Sequence, residues 1–539
     1  MFDFLNNLKV ENRNDEKILQ SIAEIENELN EKKYGLVWEQ HSEEVDEMMV
    51  DNIPILLEDK SREIATAGDD KYNFLIEGDN LHSLKLLNKT HHEKIDVIYI
   101  DPPYNTGNGD FRYDDKFVDS NDTFRHSKWI SFMSERLNLA KDLLCDSGCI
   151  FISIDANEFA QLKMLGDSIF DESNFVGNLI WRKKSGGGQT DEFFVTEHEY
   201  ILCWRKTSAF RWINQRLEAN ENDYRFEDES GRYNIVKLEK WGSSAHREDR
   251  PTMYSAIKTP DGDDYYPIAP DGRPGRWRVG ADKLSKLISA NMVYWQKKGG
   301  KWTPYEKVYF SNDKGKLIKS RSILYDIAET GTATKQLTEI FGAKDLFETV
   351  KPIEMLQFLI KHVKSDIVLD FFAGSGSTAH AVLDLNQQDG GNRQFILCTN
   401  NESGICSDVT YPRIKTVITG IRPDGSKYSD GIPANFKYYK TEFVAKDSET
   451  LVDDLIAHTD EMIQLEYGVQ IDKDKYISIL TDEEANELFE NWDKYPNIKA
   501  IYVSRHVILN AEQRKLFYTK DVYIIPDYYY REELREVGE

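Results

Sequence analysis

Two short apolar runs, each leading into a turn of unusual composition, constrain this chain more than any other feature. Lys94 to Asp101 is a near-continuous apolar segment followed by Pro102-Pro103-Tyr104 and Asn105-Thr106-Gly107. Ile367 to Phe371 is the second, running into Phe372-Ala373-Gly374-Ser375-Gly376-Ser377-Thr378. Around both, the pattern alternates between strand and helix. Trp129 to Leu144 has helical periodicity, Asp146-Ser147-Gly148 is a turn and Cys149 to Asp155 a strand. Helices are expected at Glu354 to Val363 and from Thr378, with a strand at Phe395 to Thr399. Such alternation implies a parallel sheet of the doubly wound α/β kind, in which ligands sit where strands end.

The turn after the first run has a definite chemistry. Two successive prolines fix the backbone and offer no N–H groups, so the Asp101 carboxylate and the proline carbonyls can converge as acceptors on one amino group. Tyr104 offers a ring to stack on a planar base. Asp101, Pro102, Pro103 and Tyr104 are therefore the candidate catalytic residues. Read without function, the same four residues are a Pro-rich turn with a surface Asp.

The second turn combines glycines, which allow close backbone approach, with a helix start and its unpaired N–H groups. Gly374-x-Gly376-x-x-Ala379 also matches a dinucleotide fingerprint, a weak signal alone. Glu402 follows the next strand, where an acceptor for a ribose hydroxyl would lie. No Lys follows the glycines as a phosphate-binding P-loop requires.

At 539 residues the chain has room for three or four structural units, and its net charge of −26 excludes a wholly basic nucleic-acid coat. The charge is segregated: residues 271–320 hold 12 Lys plus Arg against 4 Asp plus Glu. Arg273, Arg276, Arg278, Lys297, Lys298 and Lys301 lie there among Trp277, Tyr294, Trp295 and Trp302, a pattern suited to phosphates and bases. Ile18, Ile22, Ile25 and Leu29 have helical spacing, and Leu179 to Lys183 with Glu199 to Arg205 read as a long hairpin around Gly186-Gly187-Gly188. The expected division is a helical segment 1–60, a catalytic part 61–205, a recognition region 206–345, a cofactor-binding part 346–430 and a small α/β domain 431–539. Five cysteines without a C-x-x-C spacing point to a reducing, cytoplasmic setting. No run approaches 18 apolar residues, so neither a transmembrane helix nor a signal peptide is expected.

Taken together, Asp-Pro-Pro-Tyr, a long interval and then Phe-x-Gly-x-Gly resemble an amino-methyltransferase acting on DNA, and the order of the two motifs is similar to the β class. Tyr34-Gly35-Leu36-Val37-Trp38-Glu39, Glu77-Gly78-Asp79-Asn80, Ile152-Ser153-Ile154-Asp155, His198-Glu199-Tyr200-Ile201-Leu202, Thr330-Gly331-Thr332 and Lys351-Pro352 extend the resemblance to the Mod subunit of type III restriction-modification systems over nearly the whole chain. Phe371 departs from the Pro that many relatives carry there.

The resemblance implies a Rossmann-like methyltransferase domain split by a target-recognition domain, with S-adenosyl-L-methionine as methyl donor and double-stranded DNA as substrate. Asp101 and the Pro102 carbonyl would hold the adenine N6 amine and Tyr104 would stack on the extruded base. Phe372, Gly374 and Gly376 would cradle the cofactor, with Ala373, Ser375, Ser377 and Thr378 in the same turn. Asp370, Lys351 and Pro352 would lie near its methionine part, Glu402 at the ribose and Asp79-Asn80 near its adenine. It also implies a homodimer and a helicase-nuclease Res partner. The chemistry asks for no metal. Cytosine-N4 methylation is the alternative, Asp rather than Ser at 101 favouring adenine; a non-catalytic DNA-binding subunit that keeps the fold is another. An NAD enzyme rests on the glycine turn alone. Cytosine-C5 chemistry would need a nucleophilic Cys, and none of the five follows a Pro.

Overall fold

The computed structural model of the chain describes residues 9, 38–41, 43–113, 116–186, 193–217, 220–312, 316–343, 349–526 and 529. The Ile18 to Leu29 run, Tyr34 to Val37, Gly187 and Gly188 lie outside these. The chain divides into two compact units, Met1–Ile213 with Arg321–Glu539, and Asn214–Ser320.

The first unit is built on an eleven-stranded sheet. Its principal strands are β1 (Asn52–Glu58), β2 (Tyr72–Glu77), β3 (Ile95–Ile100), β4 (Leu144–Ile154), β5 (Phe175–Arg182), β6 (His198–Arg205), β7 (Ile323–Leu324), β8 (Ile367–Asp370), β9 (Gln394–Thr399) and β10 (Asn435–Ala445). They stand in the order β1-β10-β2-β9-β8-β3-β4-β6-β5-β7. From β10 to β4 all neighbours are parallel. The expected hairpin is the antiparallel pair β5–β6.

Alternation explains the burial. In β3, Val97 and Tyr99 point into one apolar layer and Ile98 and Ile100 into the other. Helices α1 (Asn80–His91), α2 (Arg125–Leu143) and α3 (Phe159–Phe170) supply Leu84, Leu87, Trp129, Met133 and Leu162 to the second layer. Helices α4 (Ile353–Lys361), α5 (Ser377–Asp389) and α6 (Tyr411–Thr419) bring Leu356, Val382 and Ile414 to the first. A sheet covered on both faces is why its central strands are apolar throughout.

The polar residue in β3 has a structural task. Asp96 Oδ2 accepts from the backbone N–H groups of Asp366 (2.8 Å) and Ile367 (3.0 Å), fixing the start of β8 against β3. At their other ends these parallel neighbours deliver the two sequence motifs side by side, with Leu369 opposite Ile98.

Several boundaries differ from the sequence reading. The expected turn Asp146-Ser147-Gly148 lies within β4, whose pairing with β3 carries a register irregularity. The inserted unit is narrower than 206–345: Trp212 stacks on His362 with centroids 5.0 Å apart, and β7 pairs with β5, so both flanks belong to the first unit. Position 431 likewise precedes β10, which lies between β1 and β2 in the main sheet. Beyond β10 the chain forms a three-stranded parallel sheet, Tyr476–Ile479, Ala500–Ser504 and Asp521–Ile525, with its own core of Ile477, Leu488, Ile501 and Phe517. This sheet is tied to the rest of the first unit through Asp70, which bonds Lys475 (3.0 Å), Tyr476 (3.1 Å) and Lys499.

The second unit has a four-stranded antiparallel sheet over a small core that includes Leu238, Trp277, Leu284 and Leu287.

Candidate active site

Parallel pairing places four connections at one edge of the sheet: Asp79-Asn80 after β2, Asp101 to Tyr104 after β3, Phe371 to Gly376 after β8 and Glu402 after β9. Residues hundreds of positions apart become neighbours because each follows the carboxyl end of a parallel strand.

At the centre, the Lys351 ammonium meets one acceptor for each of its N–H groups. Asp101 Oδ2 lies at 2.9 Å, the Tyr104 hydroxyl oxygen at 2.9 Å and Glu199 Oε2 at 3.2 Å. The Tyr104 hydroxyl has Asp101 Oδ1 at 2.8 Å and Glu199 Oε2 at 3.1 Å as acceptors. Glu199 Oε1 takes Lys183 at 3.0 Å. Two carboxylates and two ammonium groups thus balance in a site where Lys351 and Glu199 are nearly inaccessible and Asp101 keeps 23% of its side chain exposed.

Burial raises the Asp101 carboxyl above its ordinary value and Lys351 opposes this. For Glu199 burial acts in the same sense, yet Lys351 and Lys183 outweigh it and hold the group low. Lys351 is raised despite its burial, because both carboxylates favour its charged form. The resemblance placed Lys351 near the methionine part of the cofactor; in the structure its ammonium rests on the Asp101 carboxylate. Glu199 and Lys183 carried no such expectation, although Glu199 stands inside the His198 to Leu202 motif.

The prolines divide their roles. The Pro103 carbonyl, expected among the acceptors, takes the Trp129 indole N–H at 2.7 Å and so anchors the loop to α2. Beyond Tyr104, Asn105 adopts a left-handed backbone at φ 57° and donates to Glu158 Oε1 (2.5 Å) and the Arg125 carbonyl (3.1 Å). Burial pushes the Glu158 carboxyl up to about 8.

The glycine turn is held from beneath. Asp370 accepts from Thr378 Oγ1 (2.5 Å) and the Phe372 N–H (3.0 Å), and burial pushes its carboxyl up to about 7. It is thereby a brace of the turn, and Thr378 with it. Ser375 and Ser377 are bonded to Arg413 at 3.1 and 2.8 Å, and Thr410 Oγ1 donates to the Gly374 carbonyl at 2.6 Å. Thr410 and Arg413 are contributors that no sequence motif marked. Gly374 and Gly376 have φ of +47° and +75°, and Gly376 opens α5 with no side-chain cap. A Cβ on Gly376 would meet Thr410 Cγ2 at 3.3 Å. The polar side chains of the turn serve its own framework, as do the Phe372, Ala373 and Gly376 N–H groups, which bond Asp370, the Cys398 carbonyl and the Ala373 carbonyl.

Asp79 caps α1 by accepting from the Leu81 N–H at 2.7 Å and lies 3.5 Å from Arg136. Asn80 donates to the Phe371 carbonyl at 3.1 Å and accepts from Arg136 Nε at 2.6 Å. Phe372 packs on Phe132 at 5.9 Å, and Glu402, half exposed, pairs with Arg112 at 3.7 Å.

The basic candidates of the second unit are not equivalent. Arg276 is buried, its Nε on the Ser244 carbonyl at 2.5 Å, and Trp277 is in the core; both are packing residues, not solvent-facing contacts. Arg278 pairs with Glu306, Arg273 with Asp271 at 2.7 Å and Lys297 with Asp261 at 2.9 Å. Lys298 and Lys301 are exposed.

Comparison with known proteins adds a family. Residues 95–410 match a family described as DNA methylase. The chain is 33% identical over 443 residues to the StyLTI Mod subunit, a type III restriction-modification enzyme of Salmonella typhimurium, covering 75% of this chain and 65% of that one. It is 34% identical over 436 residues to the EcoPI Mod subunit of Escherichia phage P1, covering 72% and 66%. With the type II methyltransferase M.KpnI of Klebsiella pneumoniae it shares 36% over 386 residues, 68% of this chain and 90% of the relative. The chain therefore spans about two thirds of the length of these two Mod subunits.

Proposed function

Since this chain belongs to the DNA methylase family, we propose that it is a site-specific DNA adenine-N6 methyltransferase, using S-adenosyl-L-methionine, and the modification subunit of a restriction-modification system. The observation that carries this reading is the pairing of two strand ends. The Asp101 loop and the positive-φ glycine turn lie side by side, with parallel strands beneath them.

The residues present fit that cofactor. Positive-φ glycines leave room for close approach and the uncapped start of α5 presents N–H groups. Phe372, Ala373, Gly374 and Gly376 would hold it, Glu402 at a hydroxyl of its ribose and Asp79-Asn80 toward its adenine. When bound, it supplies a sulfonium-activated methyl group that accepts a nitrogen lone pair.

The chain's own part is to make an adenine amine nucleophilic. That lone pair is delocalised into the ring, and hydrogen bonds from NH₂ to Asp101 and the Pro102 carbonyl favour the localised, tetrahedral form. Tyr104, fixed by its hydroxyl, presents its ring to the base. One N6 proton must leave as the bond forms, and Asp101 is the acceptor. Positioning accounts for most of the acceleration.

A base inside a duplex cannot reach this loop, so the reading includes base flipping. Lys298 and Lys301 are the best-presented candidates for phosphate contact in the second unit. A homodimer, a Res partner, protein contacts by the C-terminal sheet and a cytoplasmic setting complete the proposal.

The test is transfer of tritiated methyl from S-adenosylmethionine to unmethylated DNA. Asp101→Ala is expected to abolish it while calorimetric cofactor affinity stays within a few fold. Retained turnover above about one per cent of wild type would remove Asp101 from the role of amine acceptor.

A further inference from the structure

Glu199 has no part in the chemistry of Asp101 and Tyr104 as proposed, although it touches both groups that hold the acceptor of the reacting amine, Lys351 and Tyr104. It is buried on β6, with Oε2 shared between Lys351 (3.2 Å) and Tyr104 (3.1 Å) and Oε1 on Lys183 (3.0 Å). We propose that Glu199 is a positioning residue for methyl transfer, acting through Lys351 to keep Asp101 a competent proton acceptor. This rests on the reading of Asp101 as the group that takes the N6 proton.

The physical reason is charge balance in a poorly solvated site. A single ammonium 2.9 Å from Asp101 stabilises the carboxylate, and a carboxylate stabilised that way is a weak base. Transfer requires that base. The new N–C bond takes the N6 lone pair, the electrons of the broken C–S bond remain on sulfur, and one N6 proton passes to Asp101. Glu199 divides the attention of Lys351 between two carboxylates, and its own charge raises the proton affinity of Asp101. Lys183, paired with Glu199 Oε1, adds the positive charge that offsets this second carboxylate. The same contacts fix geometry: Lys351 and Glu199 both hold the Tyr104 hydroxyl, and with it the ring.

The groups that act on this balance come from every element around it. Asp101 faces Lys351, Glu199 and Tyr104, with Tyr99 and Asp370 also within electrostatic reach. Glu199 faces Lys351, Lys183, Asp101, Tyr104 and Asp155. Of these groups it is Glu199 that bridges Lys351 and Lys183, which is why it sets the balance.

The experiment is a pH–rate profile for N6-methyldeoxyadenosine formation on unmethylated genomic DNA of mixed sequence, at saturating S-adenosylmethionine. The acid limb reports protonation of Asp101. In Glu199→Gln, loss of the negative charge lowers the proton affinity of Asp101, so the limb moves to lower pH by about one unit and the plateau rate falls about tenfold, with cofactor affinity within threefold. Lys183→Met removes a positive charge and moves the limb the other way. The double variant Glu199→Gln/Lys183→Met restores the balance and recovers part of the rate.

A residue that merely braces β6 would lower rate or stability without moving the limb. An active Glu199→Gln whose limb stays in place, or a double variant no better than the single one, overturns the proposal. Should Glu199→Gln not fold, Lys183→Met alone decides by the direction of its shift. Wild-type protein that forms no N6-methyldeoxyadenosine overturns the underlying function as well; active wild type with immobile limbs overturns the Glu199 role alone.

Discussion

Asn80 donates to the Phe371 carbonyl at 3.1 Å across 291 residues of sequence, joining the start of α1 to the turn that follows β8. Its carbonyl oxygen is held by the buried Arg136, which in turn reaches Glu43 at 2.7 Å. The turn proposed to hold the cofactor is thus set in place by residues from a distant, N-terminal part of the chain.

Asn80→Ala should leave the Phe371 carbonyl and Arg136 Nε without partners, each costing on the order of 1–3 kcal/mol when buried. The expected outcome is a folded protein with about tenfold weaker binding of S-adenosylmethionine by calorimetry. Unchanged affinity would show that the turn keeps its shape without Asn80.

Gly376→Val adds branched bulk at φ +75°, where the first carbon already meets Thr410 Cγ2 at 3.3 Å. Loss of cofactor binding is expected in a protein whose far-ultraviolet circular dichroism is retained. Unaltered binding would mean that the turn serves packing only.

Glu158 offers a pH test of the fold. Its carboxyl is pushed from an ordinary 4.5 to about 8, chiefly by burial, with Asn105 opposing. The folded form therefore disfavours ionisation, and stability is lost as pH rises from about 4.5 toward about 8. Glu158→Gln removes that dependence, so its melting temperature relative to wild type should climb across this window and level off above it. A difference that is flat with pH would contradict the buried, neutral carboxyl.

In the second unit, replacing Lys298 and Lys301 together by Ala should weaken DNA binding and lower the slope of log affinity against log salt by about one to two. Arg276→Ala should instead lower the melting temperature, because its guanidinium is packed on Ser244 and Met253. Equal effects of both changes on the salt slope would contradict this division.

The sequence was informative wherever local chemistry is distinctive. The strand ends at Asp101 and Asp370, the helices after them and the hairpin leading to Glu199 are read from apolar runs and turn residues, because such patterns depend on near neighbours. It misled where tertiary contacts decide. Nothing local distinguishes Arg276, which is buried, from Lys298, which is exposed, or shows that Pro103 is engaged by Trp129. Lys351 and Glu199 stand in recognisable motifs, but that they meet each other and Asp101 becomes visible only when the topology brings β6, the start of α4 and the Asp101 loop together. Asp370 reads as a ligand carboxylate by position, and what the sequence does not show is that it also braces the turn through Thr378 and Phe372.

The most direct test of the central claim is the identity of the methylated base. Unmethylated DNA treated with the purified chain and S-adenosylmethionine is digested to nucleosides and analysed by mass spectrometry, beside the same DNA treated with Asp101→Ala. The expected result is N6-methyldeoxyadenosine from the wild type and none from the variant. N4-methyldeoxycytidine in its place, or no methylated nucleoside from a protein that binds the cofactor, would contradict the assignment.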